Sequence, residues 1–180
     1  MERAVLDTSA ILTLFTALKL KGSKLEELEI VVPSCVKGEL ENFTKHSDYL
    51  GKRASFALNK ITVVDNPLSE DELKDERGRL GLKEERITDC DIQSLHLSFK
   101  LDLPFFTDDF SAHRHFTIHY PSKNLYYGII LALDVLGFNT STEANDFIFN
   151  ELLPKRFPQI SDRTKSNIKT AIDEYLSPNR

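Results

Sequence analysis

The sequence of 180 residues has little of what several common catalytic motifs require. Glycine occurs only 7 times, and there is no glycine-rich loop of the kind that binds nucleotide phosphates. No Ser-His-Asp or Cys-His arrangement has a recognisable local signature of nucleophilic catalysis. The two cysteines, Cys35 and Cys90, lie within helical patterns and lack the spacing of a metal site. Any chemistry must therefore come from other side chains.

Long apolar runs and a basic excess are also missing. The longest apolar run, near residues 126–136, is well short of the roughly 18 residues that suggest a membrane span, so we expect no membrane partner. The chain starts a strand almost at once, with Glu2 and Arg3 where a signal peptide would begin. We therefore expect a cytoplasmic protein whose Cys35 and Cys90 are reduced, buried thiols. The net charge of −5 means that a nucleic acid would need a local basic patch or bound cations.

Short apolar runs alternate with helical patterns along the chain, and this alternation predicts a parallel sheet covered by helices on both faces. The predicted strands are residues 4–6, 29–32, 61–64, 104–107 and a last short one at 116–119. The predicted helices are residues 10–20, 34–43, 47–58, 91–101, 124–136, 140–153 and 161–176. Helix caps are expected at Thr8 or Ser9 and at Ser34.

The chain divides into a core and an extension. Residues 1–137 are expected to form one α/β domain, and residues 138–180 a helical extension that packs on the same domain and offers a dimer or partner surface. Within the core, residues 69–86 are dense in charge with one thin apolar edge. This pattern favours a solvated, mobile helical segment.

Acidic side chains cluster at one edge of the predicted sheet. Asp7, Asp108 and Asp109 each follow a strand directly, and the binding sites of such sheets lie beyond the carboxyl ends of the strands. Glu39 and Asp91 lie about one turn into helices that start near this edge. These five carboxylates are the candidate functional groups.

Asp91 has a rival in Asp89 and a structural alternative. Asp91 precedes Leu95 by four residues, so it lies on the inward stripe of its helix, whereas Asp89 faces elsewhere. However, an acid at a helix start is usually a cap or a dipole partner, and Thr88 could be that cap. Asp-Asp after a strand is likewise usually a turn.

Several carboxylates in one pocket need a cation. Two like charges about 4 Å apart repel by about 4 kcal/mol at an effective dielectric constant near 20. Protons or a metal must neutralise them, and oxygen ligands suit Mg²⁺ or Mn²⁺. Such an ion can activate water and stabilise the charge of a phosphodiester under attack. The acids therefore favour a metal-dependent phosphodiesterase.

Three stretches in order resemble the PIN-domain ribonuclease family. They are V-L-D-T-S-A-I-L at residues 5–12, V-V-P-S-C-V-K-G-E-L at 31–40 and D-I-Q-S-L-H-L-S-F-K-L-D-L-P-F-F-T-D-D at 91–109. The resemblance covers about residues 4–114. It implies a three-layer α/β/α fold with a central parallel sheet. It also implies an Mg²⁺- or Mn²⁺-dependent endoribonuclease that hydrolyses RNA.

The resemblance assigns roles residue by residue. The implied catalytic residues and metal ligands are Asp7, Glu39, Asp91 and Asp109, with Asp108 as an additional ligand. The implied supporting residues, which would orient carboxylates or waters, are Thr8, Ser9 and Thr107. Independently of the resemblance, Arg114 and Lys123, with the nearby histidines His113, His115 and His119, are candidates for contacts with RNA phosphates.

Several functions stay open at this point. One branch of the family is the VapC-type toxins, which a small antitoxin inhibits and which are usually dimeric; another processes precursor RNA. A non-catalytic PIN-like scaffold that binds RNA or protein is an alternative from another class, although a scaffold has no need of several repelling carboxylates. A doubly wound phosphoacceptor domain is a third, and it would require a suitably placed lysine, for which Lys123 is a loose candidate.

Overall fold

The computed structural model describes residues 2–82 and 87–177. In these ranges five parallel strands form one sheet in the order β3-β2-β1-β4-β5. The strands are β1 (Arg3–Leu6), β2 (Glu29–Pro33), β3 (Ile61–Val64), β4 (Phe105–Phe106) and β5 (Leu125–Tyr126). The predicted parallel sheet is confirmed. The strand predicted at residues 116–119 is wrong, because these residues form a helix and the last strand comes at Leu125–Tyr126.

Helices connect the strands and continue beyond the last one. In the core they are α1 (Thr8–Lys21), α2 (Ser34–Thr44), α3 (Tyr49–Leu58), α4 (Glu70–Arg79), α5 (Asp89–Leu101), α6 (Phe110–His119) and α7 (Gly128–Leu136). After them come α8 (Ser141–Phe147), a π-helical turn (Ile148–Leu152), α9 (Leu153–Arg156) and α10 (Asp162–Tyr175). None of the helices in the described ranges is both long enough and apolar enough to cross a membrane.

The two faces of the sheet bury two separate sets of side chains, as the alternation of a strand requires. Ala4 and Leu6 of β1 pack with α1, α2, α3, α7 and the helices of the extension. Val5, between them, points to the opposite face and packs with α5 and α6, and with Leu80 just after α4. The sheet is therefore a middle layer between two helical layers, which confirms the three-layer α/β/α prediction.

The helix starts differ from the predicted caps. Asp7, not Thr8 or Ser9, caps α1, because its side chain accepts a hydrogen bond from the Ala10 amide. Ser34 is the first residue of α2 and its hydroxyl bonds to Asn66 instead of capping the helix. Strand ends thus pass directly into helices at this edge.

The two cysteines form a disulfide. Cys35 lies in the first turn of α2 and Cys90 in the first turn of α5, with a Cα–Cα distance of 5.7 Å. The prediction of two reduced thiols is wrong. The cysteines therefore do not support the predicted cytoplasmic location. The sequence could not indicate the pairing, because 55 residues separate the two cysteines and only the fold brings the two helix starts together.

The charged segment is partly described. α4 has a capping box between Ser69 and Glu72 and no buried residue of its own. Leu80, just after it, is buried beside α5 and α6. The predicted solvated helix agrees with α4, whereas residues 83–86 lie outside the described residues.

Candidate metal-dependent active site

The candidate site lies where the strand order reverses. From β1 the chain proceeds outward to β2 and β3, and then returns to the other side of β1 with β4. Ligands of such sheets bind at this switch point, beyond the carboxyl ends of the strands. Asp7 directly follows β1, and Thr107 directly follows β4. The Thr107 hydroxyl donates a hydrogen bond to Asp7 Oδ2 at 2.5 Å.

Asp7 is almost fully buried and is held by three donors. Its Oδ1 accepts hydrogen bonds from the Ala10 amide and the Ser9 hydroxyl, each at 2.8 Å, and its Oδ2 accepts the one from Thr107. Burial raises the pKa of Asp7 well above its ordinary value, and the nearby charge of Asp91 raises it further, whereas the three hydrogen bonds lower it. Its orientation is therefore fixed, although burial disfavours its charge.

Glu39 reaches the same place from α2. The Thr8 hydroxyl, one residue after Asp7, donates a short hydrogen bond to the Glu39 carboxylate. Asn42 lies three residues after Glu39 in α2, so helical spacing brings it to the same side, whereas His46 follows the end of this helix; all three line the pocket described below. Asn42 and His46 were not among the predicted site residues, although its spacing from Glu39 could have indicated Asn42.

Asp91 enters from α5 and also supports its own helix. Its Oδ2 accepts hydrogen bonds from the amide and the hydroxyl of Thr88, which form a capping box. Burial raises the pKa of Asp91 to about 6, the charges of Asp109 and Glu39 raise it as well, and the Thr88 bonds oppose them. The rival Asp89 instead pairs with Arg77. The capping interpretation and the functional one therefore apply to the same residue.

Asp109 is the fourth acid and caps α6. Its Oδ1 accepts hydrogen bonds from the amides of Ser111 and Ala112, each at 2.9 Å, and its own amide donates to the Thr107 hydroxyl at 3.0 Å. Thr107 thus holds both Asp7 and the backbone of Asp109. The Thr107 hydroxyl therefore helps to position both Asp7 and Asp109.

Asp108 points elsewhere. It is buried, its Oδ1 accepts a hydrogen bond from the Ile129 amide at 3.2 Å, and its Oδ2 has no hydrogen-bond partner among the described residues. Gly128, the first residue of α7, allows this approach, because a Cβ there would lie 2.5 Å from Asp108 Oδ2. Burial raises the pKa of Asp108 to about 6. The structure does not bring Asp108 into the pocket with the other acids.

The four acids share one pocket of about 460 Å³. The described residues that line it are Asp7, Thr8, Ser9, Leu12, Glu39, Asn42, Phe43, His46, Leu50, Thr88, Asp91, Asp109 and Arg156. The acids come from four different elements, so the pocket exists only in the folded chain. Burial raises the pKa values of Asp7 and Asp91, the charge of Asp91 raises that of Asp7 further, and the charges of Asp109 and Glu39 raise that of Asp91, so a cation would make the pocket electrostatically more favourable.

Arg156 is the one cationic side chain among these lining residues, if histidine is counted as neutral, and it comes from the extension. Its Nε donates to the Thr13 hydroxyl and one Nη donates to the Ser9 carbonyl, both at 3.2 Å. Burial lowers the pKa of Arg156 below its ordinary value, and the charges of Asp108 and Asp7 raise it. Nothing in the local sequence indicated Arg156, since 147 residues separate it from Ser9.

The donor set fits a hard divalent ion. Within the described ranges no three His, Cys, Asp or Glu side chains lie close enough, as they stand, to hold an ion. Mg²⁺ does not require such a set, because it usually keeps several waters and takes only one or two carboxylates directly. Four carboxylates around one pocket, of which Asp7 and Asp91 carry charges that burial disfavours, match this mode of binding. Asp7, Glu39, Asp91 and Asp109 are the residues that would hold the ion.

The two candidate RNA-binding residues lie apart. Arg114 is exposed on α6 and lines a separate cleft that also contains Tyr127 and Arg163. Lys123 instead lies over the ring of Phe99, with its Nζ 4.7 Å from the ring centroid. The structure therefore does not bring Arg114 and Lys123 together, and neither lines the pocket of acids.

The comparison with protein families agrees with this geometry. The family model of the PIN domain matches residues 4–112, which is more than half of the chain and includes all four acids. A search of curated proteins finds no match. PIN domains are generally nucleases, and PIN nucleases generally use divalent metal ions. The α/β core, the switch-point pocket and this match together show that the chain belongs to the PIN-domain family.

Proposed function

We propose that the protein is a metal-dependent ribonuclease that uses Mg²⁺ or Mn²⁺ to hydrolyse phosphodiester bonds of RNA. The observation that carries the proposal is the single pocket that Asp7, Glu39, Asp91 and Asp109 line at the switch point of the sheet. A scaffold would have no reason to keep carboxylates whose charges disfavour one another.

Each residue has a role in this mechanism. When bound, a divalent ion supplies an activated water and stabilises the charge of the phosphodiester. Asp7 and Asp91 would hold the ion, since burial and nearby negative charges make their own charges costly without it. Glu39 and Asp109, which line the same pocket, would complete the negative site. Thr107 and Ser9 hold Asp7 in a single orientation, so little reorganisation is needed when the ion arrives.

A matched pair of variants in one helix tests the proposal. We expect Asp91→Asn to abolish cleavage of a labelled RNA with Mg²⁺ or Mn²⁺, because the amide carries no charge for the ion. Asp89→Asn removes the same charge two residues away, outside the pocket, and should leave cleavage near the wild-type rate. Asparagine can still accept the Thr88 bonds, so α5 should remain intact. EDTA should stop the wild-type reaction.

The outcomes separate the alternatives. Wild-type protein that cleaves no RNA with either ion would favour the scaffold. Cleavage that survives in Asp91→Asn would mean a different site or a contaminating nuclease. A phosphoryl adduct from a radiolabelled phosphoryl donor, or a beryllofluoride adduct, at Asp7 would instead favour the phosphoacceptor domain.

The family resemblance also supports a finer proposal. The protein would be a cytoplasmic VapC-type toxin that forms a homodimer and is inhibited by a small antitoxin, or else a processing enzyme of the same family. Light scattering of the purified protein tests the dimer, and a monomer at micromolar concentration would contradict it.

A further inference from the structure

Arg156 is attached to the pocket by contacts that fix its position. It ends α9, which follows the π-helical turn of the extension and packs against α1. Its two hydrogen bonds reach Ser9 and Thr13 on the first two turns of α1. The ring of Phe157 lies against the guanidinium, 4.7 Å from centroid to Cζ. A side chain held on three sides retains little rotational freedom.

The guanidinium has capacity for a further ligand. Arginine carries five N–H donors, and the two bonds to α1 engage two of them. In the described part of the chain no carboxylate forms an ion pair with Arg156, although four carboxylates line the same pocket. The charges of Asp108 and Asp7 act on Arg156 only from beyond ion-pair distance, so the guanidinium can still bind an anion in a pocket that is otherwise negative.

A phosphodiester is the ligand that this arrangement suits. RNA brings negative charge into a pocket of acids, so a cation besides the metal is needed to lower the repulsion. The planar guanidinium fork matches two oxygens of one phosphate group, and Arg is weakly hydrated compared with Lys. No other cationic residue lines the pocket in residues 2–82 and 87–177 once histidine is taken as neutral.

We propose that Arg156 binds a phosphate of the RNA in the pocket, and that the extension is thereby part of the substrate site. This rests on the proposed nuclease function and names a residue outside the region that matches the family. The alternative is a purely structural role, in which Arg156 only ties α9 to α1.

Binding of a fluorescein-labelled single-stranded RNA, measured by anisotropy with Ca²⁺ as a non-catalytic ion, tests the proposal. We expect Arg156→Gln to weaken binding by about tenfold or more, the usual loss for a hydrogen bond to a charged group. The slope of log Kd against log salt should fall by about 0.7, as for one phosphate contact on a single strand. Arg156→Lys should retain the slope and part of the affinity.

Two control variants isolate the phosphate contact. Lys155→Gln removes the same charge from the adjacent, exposed residue of α9, which does not line the pocket, and should leave the dissociation constant nearly unchanged. Thr13→Val removes one structural bond of Arg156, together with the contacts of the Thr13 hydroxyl to the Ser9 carbonyl and Asp108, but keeps the charge of Arg156, so RNA binding should change much less than in Arg156→Gln. Thermal unfolding of each variant shows whether it folds.

The result separates this inference from the proposed function. Equal affinities and salt slopes for Arg156→Gln and Lys155→Gln would overturn the inference, even if the wild-type protein cleaves RNA. A loss in Thr13→Val as large as that in Arg156→Gln would also overturn it in favour of the structural role. A loss confined to Arg156→Gln, in a protein that never cleaves RNA, would support the phosphate contact and reject the nuclease. Wild-type protein that binds no RNA would overturn both.

Discussion

Two buried acids of the site region, Asp91 and Asp108, have pKa values of about 6. Burial is the main cause for both, because the protein interior solvates a charge less well than water does. Asp91 faces the pocket, where an ion can compensate its charge. Asp108 faces the start of α7, where the Thr13 hydroxyl, the Ile129 amide and the charge of Arg156 compensate only part of the penalty. A metal ion in the pocket could therefore stabilise the charge of Asp91, whereas the charge of Asp108 would remain unfavourable.

The raised pKa of Asp108 predicts that the effect of Asp108→Asn on the free energy of unfolding depends on pH. The folded pKa of about 6 exceeds the ordinary value of 3.8, so the folded protein binds more protons than the unfolded chain between these pH values. Stability from this group is therefore full below about pH 4 and is lost as pH rises through 6. We expect the unfolding free energy of Asp108→Asn, relative to wild type, to rise from pH 4 to pH 7.

Urea unfolding of both proteins in EDTA, at pH 4, 5, 6 and 7, measures this difference. The comparison cancels His113, whose pKa burial lowers to about 4, because His113 is present in both proteins. A constant or falling difference over this range would contradict the raised pKa of Asp108.

Between elements, the Cys35–Cys90 disulfide joins two helices that each carry a site acid. Cys35 precedes Glu39 by one helical turn in α2, and Cys90 directly precedes Asp91 in α5. The pair lies in the first turns of both helices, next to the carboxyl edge of the sheet. A covalent link at this place restricts how far Glu39 and Asp91 can separate.

We expect the Cys35→Ala, Cys90→Ala double variant to be less stable by up to about 4 kcal/mol. This is the chain-entropy estimate for a loop of 55 residues, since the link restricts the unfolded chain. The variant should also bind Mn²⁺ more weakly, because α2 and α5 can then move apart. Urea unfolding and calorimetric Mn²⁺ titration measure the two effects, with dithiothreitol-treated wild type as the parallel sample.

Titration of free thiols in the denatured, unreduced protein is the control for this prediction. No reactive thiol is expected before reduction, and two are expected after it. Two thiols before reduction would mean that the link does not form, and would restore the prediction from the sequence.

For the molecule as a whole, the extension and the core share one set of buried side chains. Phe147, Ile148 and Leu152 of the extension are essentially inaccessible and pack in the same cluster as Ile11 and Leu14 of α1. α10 adds Ile168 and Ile172 to this cluster, so all seven side chains belong to the larger of the two hydrophobic cores. The extension therefore packs against α1, the helix that Asp7 caps.

Truncation tests the predicted division at residues 137 and 138. Removing one large buried side chain costs about 2–5 kcal/mol, and a whole domain is stable by about 5–15 kcal/mol. Loss of the extension removes several such side chains, so we expect a chain of residues 1–137 to lack a cooperative thermal transition. A chain that ends at residue 177 keeps α10 and is the control, with a melting temperature near that of the full chain. Circular dichroism measures both, and a cooperative transition in the shorter chain would make the core an independent domain.

The sequence by itself indicated most of the elements, although not α6 or β5, and placed the acids at one edge of the sheet. Apolar runs of strand length end in Asp7 and in Thr107–Asp109, and helical periodicity places Asp91 but not Asp89 on an inward face. These signals are local, since each depends on a few neighbouring residues. For the same reason the short strand β5 was missed: with two residues, it has too little pattern to distinguish it from the helix that follows.

Only the tertiary structure decided what distant segments do together. The disulfide joins residues 55 positions apart, and Arg156 reaches Ser9 across 147 positions, because both depend on how helices pack on the sheet. The same packing turned Asp108 towards Ile129 although its neighbour Asp109 lines the pocket. Adjacent residues leaving a strand point in opposite directions, so the sequence placed both acids at the right edge and the packing of α7 separated their environments.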